Sequence, residues 1–175
     1  FGVLTIPAMC LTVFPLVSFM DIDQIPNAFL GGFLEAFLEA AIPEETFKFA
    51  VFYFYCMRHR EFDEPMDGIV YGVTASLGFA TLENVFYVFE GGIGGAVLRA
   101  FTAVPGHACF GAIMGYFAGQ SVSRPLERRK LFSAALGFPI LFHGFYDFPL
   151  MAVQRINQRR SPSSFEEMLV LPLLL

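Results

Sequence analysis

The chain has 175 residues, 55% of them apolar and only 15% charged, with a mean hydropathy of +0.58 and a formal net charge of −5. A soluble domain carries about 25% charged residues, so the deficit points to a chain whose solvent is mostly lipid. No basic face is available to neutralise phosphates, which excludes nucleic acid as a partner; the three scattered cysteines, Cys10, Cys56 and Cys109, make neither a disulfide framework nor a zinc knuckle.

A membrane span needs roughly 20 apolar residues. The first candidate covers residues 1–20, with Pro7 and Pro15 as kinks, and an acidic connection follows at residues 21–24. The next apolar stretch is too long for one straight span. It is expected to break near Pro43, giving an outer segment at 29–42 and a helix at 43–57. A charged turn at 58–64 leads to a third span at 66–89, a Gly-rich connection at 91–95 and a fourth span at 97–119. A basic connection at 120–130, a fifth span at 131–153, a polar segment at 154–164 and the start of a sixth span near Phe165 complete the series. Apolar runs at both ends fit a fragment of a longer membrane protein. The expected organisation is a single integral membrane domain over residues 1–175, an all-α polytopic bundle of five spans plus the start of a sixth.

Loop charge sets the expected orientation. Arg58, Arg60, Arg124, Arg128, Arg129 and Lys130 share one side, which the positive-inside tendency makes cytoplasmic. Arg155, Arg159 and Arg160 fall on the other side and contradict it.

Ionisable residues inside a span cost about 2.5–3.5 kcal/mol each on insertion scales, yet this chain carries many. Glu44, Glu45 and Lys48 head the helix at 43–57; Glu83 and Asn84 lie in the third span, His107 in the fourth, His143 and Asp147 in the fifth. Either glutamate of the pair can reach Lys48 on one helix face, and His143 and Asp147 share a face at i,i+4. At ~1.5 Å per residue, these groups fall in one layer of the membrane core. They must turn towards one another or towards a wet cavity. Two histidines with carboxylates suit a zinc shell open to water, with a further glutamate as general base. The same groups also suit a metal-free centre, with glutamate activating water and histidine stabilising the oxyanion. Structural ion pairs and helix-packing hydrogen bonds are the non-catalytic alternatives. Glu35 and Glu39, at i,i+4 on the outer segment, read as a solvated face or as the rim of a substrate entrance.

Four short patterns follow in order: Glu44-Glu45-x-x-Lys48, Phe79-x-x-x-Glu83-Asn84, His107-x-x-x-Gly111 and His143-x-x-x-Asp147. The words Asp67-Gly68-Ile69-Val70-Tyr71-Gly72 and Gly78-Phe79-Ala80-Thr81-Leu82-Glu83-Asn84 surround them. From Pro43 to Asp147 the chain resembles the PrsW family of intramembrane metalloproteases, and more distantly the CAAX prenyl endopeptidases and related bacterial immunity proteins. The resemblance implies a CAAX-protease-like core in a multi-pass bacterial or archaeal cell-membrane peptidase. Its partners would be the lipid bilayer and a membrane-anchored protein substrate, such as an anti-sigma factor cut first at site 1. Carried over by position, Glu44 and Glu45 would activate water, and Glu83, His107, His143 and Asp147 would hold a divalent metal, zinc. Lys48 and Asn84 would support them. Lys48 stands one position earlier than the arginine usual in CAAX enzymes, and Glu83 stands where those enzymes have histidine; both departures favour the PrsW group. A metal-free glutamate peptidase, or a non-enzymatic immunity protein, scaffold or ion pathway, remains the alternative.

Overall fold

The computed structural model describes residues 2–4, 6, 7, 9 and 20–160. Among the described residues every regular element is helical. The expected first span lies mostly, and the sixth wholly, outside them. Among the described residues three helices are long and apolar enough to cross a membrane, Pro65–Phe89, Gly92–Ser123 and Pro125–Arg159.

Helix α1, Ala28–Leu34, starts where the Asn27 side chain accepts hydrogen bonds from the N–H groups of Phe29 and Leu30 at 3.0 Å. It passes without a break into a π-helical segment, Glu35–Ala41, and then into α2, Ile42–Phe54. The break expected near Pro43 is thus a change of helical winding. Proline lacks an N–H and crowds the carbonyl four residues back, but it is tolerated in a first turn. The wider π turn, with the Ile42 N–H bonded to the Phe37 carbonyl, absorbs the mismatch.

Helix α3, Pro65–Phe101, opens with Pro65 at its first position and the Asp67 carboxylate accepting from the Asp63 and Glu64 N–H groups at 3.1 and 2.9 Å. The Gly-rich stretch at 91–95, expected as a connection, is helical except at Gly92, whose φ of +79° only glycine adopts freely. The stretch does connect the third span to the fourth, as expected, but one residue makes the reversal in place of a loop. Helix α4, Ala103–Ser123, follows an irregular Thr102, three residues ahead of Pro105.

Helices α3 and α4 meet backbone to backbone. A methyl group on Gly72 would collide with the Gly111 carbonyl, and one on Gly111 or Gly115 would collide with Gly72 or Gly68. Small residues permit this approach in a membrane, where packing and not water exclusion drives association. Helix α5, Arg128–Arg160, packs along α1 and the π segment: Gly32 lies on the Ala152 backbone and Gly144 under the Phe37 ring.

The polar segment expected from residue 154 continues α5 to Arg160. Arg155 is buried, bonding the Ile22 carbonyl at 2.8 Å and the Glu35 carboxylate at 2.6 Å. Arg159 donates to the Ile25 carbonyl at 2.7 Å and to the Pro26 carbonyl. These two arginines are engaged by the protein around the 3-10 turn Ile22–Gln24, which accounts for their exception to the charge rule. It also places Glu35 in an ion pair in place of a solvated face.

Candidate active site

Helix α2 presents Glu44, Glu45 and Lys48 on one face, and all three are buried. The Lys48 ammonium lies 2.8 Å from Glu45 Oε1, 3.2 Å from Glu44 Oε2 and 2.9 Å from His107 Nδ1. Its fourth neighbour is the Phe79 ring, with the centroid 4.1 Å away. One cation on α2 is thus tied to α3 through an aromatic face and to α4 through a histidine.

The second histidine reaches the same group from α5. His143 Nδ1 is 2.9 Å from Glu45 Oε1, and its Nε2 is 3.0 Å from Asp147 Oδ2 and 3.9 Å from Glu44 Oε2. The rings of His107 and His143 stand perpendicular with centroids 5.1 Å apart, and Phe110 stacks on His143. His107 Nε2 lies 3.0 Å from Glu83 Oε2, an oxygen that also takes an ion pair from Arg99 at 2.8 Å.

Seven of the eight residues singled out from the sequence therefore form one connected cluster. Asn84 faces elsewhere: its amide donates to the Ala96 carbonyl at 3.1 Å, across the Gly92 kink. Arg99 and Tyr87 join the cluster without having been anticipated, the guanidinium lying 3.7 Å over the Tyr87 ring. The available signal was Arg99 itself, an ionisable residue inside the expected fourth span.

A cavity of about 50 Å³ opens on one side of the cluster, its wall including Glu44, Glu83, His107, His143, Asp147 and Arg99. Glu45, fully buried, is not part of that wall. The volume is room for a water or two.

The donor set suits a metal ion. Ligand atoms of Glu44, Glu45, His107 and His143 all lie within 4.8 Å of one another. Glu45 Oε2 is buried with no hydrogen-bond partner, a costly state for a carboxylate oxygen in apolar surroundings. Charge is compatible with an ion. Four carboxylates, Glu44, Glu45, Glu83 and Asp147, face two permanent cations, Lys48 and Arg99. His143 has a carboxylate oxygen at each ring nitrogen, so without a metal both bonds are made by a doubly protonated ring facing ionised carboxylates, and that ring would release a proton to serve as a ligand. With all four carboxylates ionised, the doubly protonated ring leaves the cluster with one net negative charge, which either a further proton on a carboxylate or a bound cation would neutralise. Lys48 stands against this in part, because its ammonium engages three of the four donor residues.

The profile of a family described as PrsW family intramembrane metalloprotease matches residues 1–174. The chain belongs to the PrsW family. It is 41% identical over 145 residues to Protease PrsW of Geobacillus kaustophilus, covering 83% of this chain and 64% of that protein. It is 46% identical over 118 residues to Protease PrsW of Oceanobacillus iheyensis, covering 67% and 55% respectively. Against Protease PrsW of Bacillus subtilis the identity is 39% over 142 residues, covering 81% and 65%. The chain thus spans a little over half to two thirds of the length of these PrsW relatives. No solved structure matches it. The PrsW relationship and the apolar helices together place it among multi-pass membrane proteins.

Proposed function

We propose that this chain is the catalytic core of an intramembrane peptidase that hydrolyses a peptide bond in a membrane-anchored protein, with a divalent metal, zinc, in the Glu/His cluster. The observation that carries the reading is the convergence of Glu44, Glu45, His107 and His143 from three separate helices into one buried group whose ligand atoms lie within 4.8 Å of one another. An anti-sigma factor with a single span is the substrate class that the family resemblance implies.

In this reading His107, His143 and Glu45 would hold the ion, leaving Glu44 free as the base. Glu83 and Asp147, the other two expected ligands, act through the histidines they hydrogen-bond, the common arrangement around metal-bound imidazole. The ion would supply Lewis-acid chemistry, polarising the scissile carbonyl. Glu44 faces the cavity and takes a proton from water as its oxygen bonds to the carbonyl carbon; the same proton then goes to the amide nitrogen as the C–N bond breaks. Glu45 also anchors His143 and Lys48. Phe79 and Phe110 shield the histidines and keep the local dielectric low.

The position of Lys48 supports a second reading, a metal-free peptidase. Its ammonium lies among the donors that a metal would use and, together with His143, pairs the two glutamates without one. Metal analysis of the protein purified without added metal separates the two. The zinc reading expects about one ion per chain, lost in His107→Ala and His143→Ala variants that remain folded. A protein that cleaves a single-span reporter while holding no metal, and is indifferent to chelator, overturns it in favour of the second.

A further inference from the structure

We propose that Arg99 is a positioning residue of this site, fixing the Glu83 carboxylate so that it orients His107. Arg99 is only 5% exposed, although it sits inside an apolar helix. Such a cation is retained at high cost unless it is paired. Its partner is Glu83 Oε2, the same oxygen that holds His107 Nε2, so the carboxylate is set between a fixed charge and the imidazole. The Tyr87 ring under the guanidinium fixes the plane of that charge.

The backbone shows how Arg99 comes to be there. It lies beyond the Gly92 kink, and the kink folds the second arm of α3 back towards the first. Two polar contacts clasp the arms, Asn84 to the Ala96 carbonyl and Glu83 to Arg99. Asn84, which belongs to the same sequence word as Glu83, thereby acts on the site from outside it. The Arg99 Nε–H is buried and unpartnered, a sign that burial here serves placement more than hydrogen bonding.

The placement can be read without any catalytic assay. Ring-nitrogen NMR of ¹⁵N-histidine protein in detergent reports the His107 Nε2–H, with His59 and His143 assigned by substitution. Arg99→Gln is expected to move that resonance as Glu83→Gln does, and Arg99→Lys to return it towards the wild-type position. Tyr87→Leu, which keeps the charge but removes its platform, gives an intermediate shift and serves if Arg99→Gln does not fold. An unchanged His107 resonance in folded Arg99→Gln or Tyr87→Leu, beside a moved one in Glu83→Gln, overturns the proposal. Only the kinetic arm rests on the hydrolytic reading. In that arm, kcat on a single-span reporter falls roughly 10–100-fold in Arg99→Gln with KM unchanged, and recovers in Arg99→Lys. Loss of both the NMR effect and the kcat effect defeats the role of Arg99; an NMR effect in a protein that cleaves nothing defeats the peptidase reading alone.

Discussion

Glu45 and His143, 98 positions apart in the chain, meet through a 2.9 Å contact between Oε1 and Nδ1. The contact joins α2 to α5, and the same carboxylate oxygen receives the Lys48 ammonium. One oxygen therefore couples the glutamate pair, the lysine and a histidine, so changes at any of them propagate to the others.

Lys48→Met removes the ammonium that lies between two buried carboxylates. Breaking a buried pair by removing one partner costs about 3–5 kcal/mol. The thermal midpoint in detergent is expected to fall sharply, and Lys48→Met/Glu45→Gln to recover part of the loss. Equal midpoints for the wild type and Lys48→Met would contradict the geometry described.

Gly115→Ala places a methyl group against the Gly68 backbone, where neither side is a flexible side chain. The helices must separate, at a cost of about 1–3 kcal/mol, and His107 two turns away moves with α4. Gly94→Ala is the control, because its site has open space and the change favours the helix. Stability measured by denaturant or heat in detergent should fall for the first and stay level or rise for the second.

How far the sequence spoke for the structure depends on the length of the chemistry involved. The charged residues of the spans were legible because lipid makes each one costly, and the i,i+3 and i,i+4 spacings place Glu44, Glu45 and Lys48, and separately His143 and Asp147, on common faces. What no spacing reveals is which nitrogen of His143 meets Glu45 and which meets Asp147, since that depends on the packing of α5 against Phe37. Local composition located the features at glycine and proline but not their form: the glycines do separate the third span from the fourth. Residues 91–95 read as a loop, yet only Gly92 leaves the helix; Pro43 read as a break, yet a π turn carries the chain through it. At Pro43 the helical backbone keeps its hydrogen bonds internal through the wider turn; at Gly92 the chain reverses between two spans within a single residue.

Arg155→Ala removes the contacts to Glu35 and to the Ile22 carbonyl. The segment around residues 21–26 should become a site of rapid limited proteolysis, with metal content retained. Unchanged proteolysis would contradict the role of Arg155 as its clasp.

Metal affinity is expected to weaken as pH falls, because protons compete with the ion for imidazole and carboxylate donors. Glu83→Gln and Asp147→Asn should each weaken it by roughly 10–100-fold without abolishing it. Titration with zinc under competing chelator at several pH values measures both effects. An affinity independent of pH would contradict the donor set.

The most direct test of the central claim is the rate at which a new amino terminus appears in a single-span reporter co-reconstituted with the protein in vesicles, followed by mass spectrometry. Wild-type protein and Glu44→Gln are compared at equal amounts of folded protein. Cleavage by the wild type and a drop of at least roughly 100-fold in Glu44→Gln is the predicted result, the size expected for loss of a general base. Equal cleavage by both would contradict the assignment of the buried Glu/His cluster as the hydrolytic centre.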